Sequence, residues 1–385
     1  MKTRIAFIGT VGVPNNYGGF EMFLDSCSPG FLKNFEQVLV TCDSAKYSDR
    51  SKSWHGVSRV FIPIPANGIC SVFHDFFAFF AVFWKVDVII VLGISAGTFF
   101  PLFRALCTLF GKRLIINVDG VEWRRAKFSR ARRWFLYVSD RLAQKFAHRV
   151  VVDNDALRPF LINSVRAAAV SIAYPGDHIL RIIPRNVIKS GEIQCLTICR
   201  IEPENNCHVL IEAFVNAGKG NYIFVGNWNN SEYGRSLRRR FATFPGLELR
   251  DPVYDKSILA SLRENCTIYL HGHSVGGTNP SLVEMLFYDC AIFAYDCTFN
   301  RCTAATAVNY FLDETDLCVQ IKSTGINNSF NRTSVRLRYT QAKICEGYTK
   351  LILGSLIDRR SGAGVQKVQD IEKDGVEAAK KVISK

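Results

Sequence analysis

The chain reads as short apolar runs separated by longer stretches in which apolar positions recur every three to four residues. In the first half the runs are Arg4 to Ile8, Gln37 to Thr41, Val86 to Leu92, Arg113 to Val118, Arg149 to Val152 and Ala169 to Ala173. They are near-continuous Val, Ile and Leu, the composition of parallel strands covered by helices on both faces. A second series follows Tyr174-Pro175-Gly176 and the polar segment 181–191: Ile193 to Cys199, Asn221 to Val225, Leu247 to Arg250, Thr267 to Leu270 and Ala291 to Ala294. Helical patterns intervene, notably Asn206 to Ala217 and Pro280 to Tyr288. The pattern predicts two doubly wound α/β domains facing a cleft, the first over residues 1–183 and the second over 184–340. The helix-prone Ser334 to Leu356, with 341–360 as a separate final element, is predicted to pack back across the join. The Gly- and Lys-rich tail 361–385 is expected to end in a frayed helix from Ser361.

The Phe-rich region Val72 to Phe110 is the one place where the pattern suggests a membrane. Its longest uncharged run, Val88 to Phe103, is interrupted by Gly93, Gly97 and Pro101 and falls short of a span. It divides instead into an apolar helix ending near Trp84, a buried strand, and a helix opening near Thr98 with Pro101 in its first turn.

Composition changes the picture in two ways. A formal net charge of +14 calls for an anionic partner, and Arg124 to Arg149 carries nine Lys/Arg against a single acid, Asp140. That stretch also holds Trp123 at its border, then Phe128, Trp134, Phe135 and Tyr137, a mixture that favours an anionic bilayer over nucleic acid, with a merely solvated basic helix as the alternative. The 13 cysteines are odd in number and form no C-x-x-C pair, which excludes a disulfide framework or zinc ribbon and suits a reducing compartment. The N-terminus turns to a Gly-rich loop after too few apolar residues for a signal peptide. The expected location is cytoplasmic, peripherally on the inner face of the membrane.

The densest chemistry lies in His271-Gly-His-Ser-Val-Gly-Gly-Thr-Asn-Pro-Ser-Leu-Val-Glu284, where a strand runs through a Gly-rich turn into a helix. Such a turn brings free backbone N–H groups and a positive dipole end to one point, which suits a phosphate; an ordinary tight βα turn is the alternative. Glu284 lies one helical turn beyond Pro280, where a ribose hydroxyl can donate to it. At the end of the second domain's first strand, Arg200 projects into the region where α/β sheets bind ligands, with a fork that matches a diphosphate. Pairing with Glu202 or Glu204 is its bland alternative. The first loop, Gly9 to Glu21, lacks the glycines of a dinucleotide fingerprint, so Gly18 and Gly19 are read as the start of a helix facing the cleft. Asp119, directly after the fourth strand of the first series, is either a polar group facing the cleft or a helix cap.

Five segments in order, 9–21, Asp-Gly-Val-Glu-Trp-Arg-Arg-Ala-Lys (119–127), Arg-Ile-Glu-Pro-Glu-Asn-Asn (200–206), Val-Gly-Asn (225–227) and 271–284, resemble the rhamnosyltransferase-like branch of glycosyltransferase family 4. The resemblance implies a GT-B fold with an N-terminal acceptor domain and a C-terminal nucleotide-sugar domain. It also implies retention of anomeric configuration and no metal or other cofactor. It matches Arg200 to the family's diphosphate arginine and Glu284 to its ribose-binding glutamate, and Asp119, where many relatives have a preceding histidine that this chain lacks, is a further catalytic candidate near the transferring sugar or the acceptor hydroxyl. Donor contacts fall on Gly18, Gly19, Arg200, Asn205, Gly226, Val253, His273, Thr278, Asn279, Ser281, Leu282 and Glu284. Trp123, Arg124, Arg125, Arg130, Arg132 and Arg133 are placed at the acceptor and membrane side. Two departures stand out: Asn205-Asn206 replaces the usual lysine after the arginine, and Gly276 replaces the first glutamate of a spaced pair. The second change suits a deoxysugar. The expected activity is transfer of L-rhamnose from dTDP-L-rhamnose, or another dTDP- or UDP-sugar, to a lipid-linked oligosaccharide in bacterial O-antigen or capsule synthesis, with no nucleic-acid partner. Another donor such as a UDP- or GDP-hexose, a GT-B sugar-nucleotide epimerase, and a non-catalytic basic adaptor remain the alternatives.

Overall fold

The computed structural model describes residues 3–360 except 16–17, 126–127, 186, 188–191 and 325–330. The helix expected from Ser361 lies outside the described residues.

Two separate sheets account for the strands. The first contains β1 (Arg4–Ile8), β2 (Gln37–Asp43), β3 (Ser53–Trp54), β4 (Val57–Ile62), β5 (Val88–Leu92), β6 (Arg113–Asn117), β7 (Arg149–Val152) and β8 (Val170–Ser171). Its order is β3-β4-β2-β1-β5-β6-β7-β8, parallel throughout except for the β3–β4 pair. The second contains β9 (Gln194–Ile198), β10 (Asn221–Val225), β11 (Leu247–Arg250), β12 (Ile268–His271), β13 (Ala291–Tyr295) and β14 (Asn309–Phe311), in the order β11-β10-β9-β12-β13-β14. All of its pairings are parallel.

The continuous apolar strands are explained by burial on both faces: β5 is buried along its whole length. One side of the first sheet packs Phe7, Phe23 and Phe31 against Tyr348; the other packs Phe79, Phe83, Phe100 and Phe103. Both sheets reverse winding direction beside their first strand, between β1 and β5 and between β9 and β12. Ligand crevices form at such points, beyond the carboxyl ends of the strands.

Differences from the pattern are local. Strands β3, β4 and β14 were not predicted. In β4 the buried Arg59, held by Asp49 and lying over the Tyr47 and Phe61 rings, disguises a core strand as a polar one. The helix at Pro280 stops at Met285, short of Tyr288. The predicted helix 334–356 is broken into Thr333–Arg338 and Gln341–Arg360. The break follows from Tyr339, whose carbonyl accepts from Gly176 N at 2.8 Å and whose hydroxyl donates to the Thr303 carbonyl at 2.7 Å. After this anchor the last described helix returns to the first sheet, where Tyr348 Oη accepts from Asn117 Nδ2 at 2.9 Å.

Candidate functional site

The loops after β1, β6, β7, β9 and β12 meet at the carboxyl edges of both sheets. From the first sheet come Gly18-Gly19, Asp119-Gly120, Arg125 and Asp153-Asn154; from the second, Arg200, Glu204-Asn205 and the segment 272–280. A Cβ on Gly120 would lie 3.3 Å from Gly276 Cα, and one on Gly19 would lie 3.4 Å from Pro280 Cγ. The two lips therefore approach so closely that a side chain at Gly120 or Gly19 would already be in contact with the other domain.

Arg200 is exposed, and no carboxylate lies within ion-pair reach of it among the described residues. The alternative pairing with Glu202 or Glu204 is not made. Glu204 instead faces Arg125 Nε at 3.7 Å across the cleft, and Arg125 also holds Glu122 at 2.9 Å. Arg125, expected on the membrane side, is thus a cleft residue. Asn205 is fully engaged: its Nδ2 donates to the Arg200 carbonyl at 2.7 Å and its Oδ1 meets His273 Nδ1 at 2.7 Å. Burial pushes the His273 pKa down to about 3, with the charges of Arg125 and Arg200 acting in the same direction. His273 is therefore a neutral imidazole at pH 7, and with Nδ1 as the donor to Asn205, Nε2 is left as an acceptor. That nitrogen lies 3.0 Å from where a Gly276 Cβ would stand.

Asp119 sits in the left-handed region at φ 58°, next to Gly120. It caps no helix: the turn Glu122–Arg124 starts after Val121 without a side-chain cap. Burial raises its carboxyl, while a backbone amide at Gly120 and the nearby Arg125 and Arg200 pull it back. Gly18 is the N-cap of helix Gly19–Phe31, as expected, and the buried Glu21 in its first turn reaches back to accept from Val11 N at 2.8 Å and from the Gly18 amide. This is the carboxylate half of a capping box, so the Gly18 N–H is already satisfied.

The helix Pro280–Met285 opens on Asn279, whose side chain accepts from Ser281 N at 2.9 Å. Glu284 is buried behind it and both oxygens are taken, Oε2 by Arg263 and Oε1 by His178 Nε2 at 3.3 Å. Burial pushes this carboxyl up, but Arg263 and His178 outweigh it and hold it below the ordinary glutamate range. A ribose hydroxyl would have to share the carboxylate with these partners. Thr278 is likewise committed, to the first domain: its N–H donates to Asp153 Oδ1 at 3.3 Å and its hydroxyl to the Asp153 carbonyl at 2.5 Å. Asn154 Nδ2 reaches Thr278 Oγ1 at 3.4 Å and donates to the Phe299 carbonyl at 3.1 Å. Among the other expected donor contacts, the Leu282 side chain is sealed in the core and Val253 borders it. Gly226 lets the 199–201 turn pack closely, with Ile201 N donating to Asn227 Oδ1 at 2.8 Å.

At the proposed acceptor side, Arg124, Arg130, Arg132 and Arg133 are exposed. Trp123 is not a surface anchor: its indole donates to Asp140 Oδ2 at 3.1 Å, and its carbonyl accepts from Arg133 Nε at 2.9 Å. It ties the 119–125 loop to helix Arg130–Phe146. Sequence reasoning missed Glu21, Asp153, Asn154, His178 and Arg263. Asp153 and Asn154 had a usable signal, since they follow a buried parallel strand directly; His178 and Arg263 had none.

A family profile described as a domain of unknown function (DUF1972) matches residues 2–177. No curated protein matches the chain in sequence. Solved structures similar to it include sucrose-phosphate synthase from Thermosynechococcus elongatus, with a TM-score of 0.72 at 14% identity, covering 94% of this chain and 100% of that one. Anabaena HepE in complex with UDP and glucose has a TM-score of 0.66 at 14% identity, covering 91% and 99%. The catalytic domain of starch synthase IV from Arabidopsis thaliana, bound to ADP and acarbose, has a TM-score of 0.66 at 11% identity, covering 92% and 100%. The two-sheet architecture of this chain is the GT-B fold.

Proposed function

We propose that this chain is a retaining glycosyltransferase that moves a sugar, best fitted as L-rhamnose from dTDP-L-rhamnose, to a lipid-linked oligosaccharide in bacterial surface-polysaccharide assembly. The observation that carries the reading is Arg200, a guanidinium exposed at the carboxyl edge of β9, paired with no carboxylate among the described residues and within electrostatic reach of Asp119 and His273 in the cleft. Developing negative charge on a departing diphosphate is met by that fork and by backbone amides, where a closed, water-poor cleft makes such groups count for more. No metal takes part in this scheme. The bond from the sugar's anomeric carbon to the diphosphate breaks, the acceptor hydroxyl oxygen bonds to the same face, and a donor phosphate oxygen takes the hydroxyl proton. Asp119, within electrostatic reach of Arg125 and Arg200, orients the acceptor hydroxyl or the sugar in this scheme.

The deoxysugar is supported by Gly276. A side chain there would run into the His273 imidazole, so the carboxylate that a fully hydroxylated sugar would meet is replaced by one neutral acceptor nitrogen. The lipid-linked acceptor and peripheral membrane position rest on the exposed Arg124, Arg130, Arg132 and Arg133 beside the cleft.

The test is thermal unfolding against dTDP, UDP and GDP and their sugars, with product analysis on a lipid-linked acceptor. A nucleotide at a hundred times its Kd stabilises by about 2.7 kcal/mol. Arg200→Ala removes a charge-assisted contact of about 1.5–3 kcal/mol and is expected to lower kcat/KM roughly ten- to a hundredfold. Stabilisation by no nucleotide diphosphate, or an Arg200→Ala variant that turns over as well as wild type, would sink the reading.

A further inference from the structure

We propose that the outer faces of helices Ser71–Phe83, Phe100–Leu109 and Arg130–Phe146 together form a docking surface for an anionic phospholipid bilayer. Its purpose, though not its existence, rests on the lipid-linked acceptor proposed above. The three helices are the crossovers β4 to β5, β5 to β6 and β6 to β7. All three bury side chains in the same core on one side of the first sheet, as same-handed crossovers require, and their outer faces share one aspect.

The first helix places Phe73, Phe77, Phe80 and, at its C-cap, Trp84 at spacings of four, three and four residues, which is one stripe. Their exposures are 54%, 51%, 38% and 67%. The opposite stripe is firmly seated: Phe79 stacks on Phe103 with centroids 3.8 Å apart, and Ala78, Val82 and Phe83 are buried. The helix is therefore held in place while four aromatic side chains remain uncovered. With about 200 Å² per aromatic side chain, they leave on the order of 400 Å² of apolar surface, comparable with the whole largest patch of an ordinary monomer. Leu102 and Leu109 extend the patch from the second helix, Phe110 beside Trp84 joins it, and Trp134 and Tyr137 extend it from the third.

Charge identifies the occupant. The only acidic residues on the three helices are Asp75 and Asp140, and both are buried, Asp75 against His74 and Asp140 between Trp123 and Gln144. The exposed charges at the start of the third helix, Arg130, Arg132 and Arg133, are all positive, and Arg124 lies just before them. A second copy of the chain on this face would set arginines against arginines. A bilayer with anionic headgroups meets both features, taking the aromatic rings at the acyl boundary and the guanidinium groups at the phosphates. The arginines stand at the end of the face nearest the 119–125 loop, so a docked chain would present its cleft to a membrane-bound acceptor.

The test is flotation of the full-length protein with phosphatidylglycerol–phosphatidylethanolamine vesicles and with pure phosphatidylcholine vesicles. Wild type is expected to float with the first and weakly with the second. The combined variant Arg130→Gln, Arg132→Gln, Arg133→Gln is expected to lose partitioning on the order of 100-fold on anionic vesicles. The combined variant Phe73→Ser, Phe77→Ser, Trp84→Ser is expected to lose at least about tenfold on either composition. Circular dichroism melts of both variants check that they fold. Anionic-vesicle binding unchanged in both variants overturns the proposal, as does a wild type that stays off vesicles while the aromatic variant converts a dimer to a monomer. If vesicle binding holds but no nucleotide diphosphate stabilises the protein, the docking surface stands and the transferase reading fails.

Discussion

Replacing Asp153 with asparagine tests the joint between the two lips of the cleft. Asp153 follows β7 directly and is almost fully buried. Its neighbours are the Thr278 amide, the Tyr174 hydroxyl and the carboxylate of Asp119. Burial raises its carboxyl from 3.8 to about 7, and Asp119 adds to the rise. A raised acid stabilises the fold fully below its unfolded value and loses that contribution as pH climbs to the folded value. Between pH 5 and 7 the unfolded chain has released a proton that the folded protein still holds. Two pH units at about 1.4 kcal/mol each amount to about 3 kcal/mol of stability lost by wild type over that window. The variant keeps the shape and an oxygen for the Thr278 amide but has no proton to lose. Its stability relative to wild type is therefore expected to rise by about 3 kcal/mol from pH 5 to pH 8, roughly 6–12 °C in melting temperature for a domain of this size. Paired thermal melts across that range measure it. A difference between the two proteins that stays flat from pH 5 to pH 8 would refute the burial of a protonated carboxyl at this joint.

Other outcomes follow from neighbouring contacts. Gly277→Ala drives a methyl group into the Asp153 carboxylate and should break the Thr278 clasp; kcat/KM is expected to fall tenfold or more, read by steady-state transfer assays, and Gly277→Ala combined with Asp153→Gly should recover part of it. Arg263→Ala strands the buried Glu284 beside His178 alone and is expected to cost about 3 kcal/mol in chemical denaturation at pH 7. Because Arg263 and His178 hold the Glu284 carboxyl below the ordinary glutamate range, that cost should shrink in acid, as falling pH protonates the glutamate first in the unfolded chain and then in the folded protein.

Most strands were legible because burial on both faces leaves one residue class at every position. β1, β7 and β10 fall where the apolar runs predicted them. β4 escaped because its core arginine, Arg59, is neutralised by Asp49, ten residues upstream and outside the strand, and no strand pattern encodes that partner. The site divides the same way. Arg200 and Gly19 were legible, since a strand end or a helix start fixes where a residue points. The states of Glu284, Thr278 and Asn205 were not, because each is decided by a side chain tens of residues away: Arg263 for the first, Asp153 across the cleft for the second, His273 for the third.

The same limit reassigns the glycines of the 271–284 segment. A Gly-rich turn before a helix invites a phosphate, yet here Gly276 and Gly277 are where the domains meet. A Cβ on Gly120 would stand only 3.3–3.4 Å from their backbone, and the Asp153 carboxylate occupies the space a Gly277 side chain would need. Their missing side chains thus serve contact between lips, with Thr278 and Asn154 supplying the hydrogen bonds. Such bonds contribute about 0.5–1.5 kcal/mol each, so the joint as a whole is worth a few kcal/mol. That is the size of gap a bound ligand can overturn. On the proposed function, the phosphate charge falls instead to Arg200, which lies in the cleft within reach of Asp119 and His273.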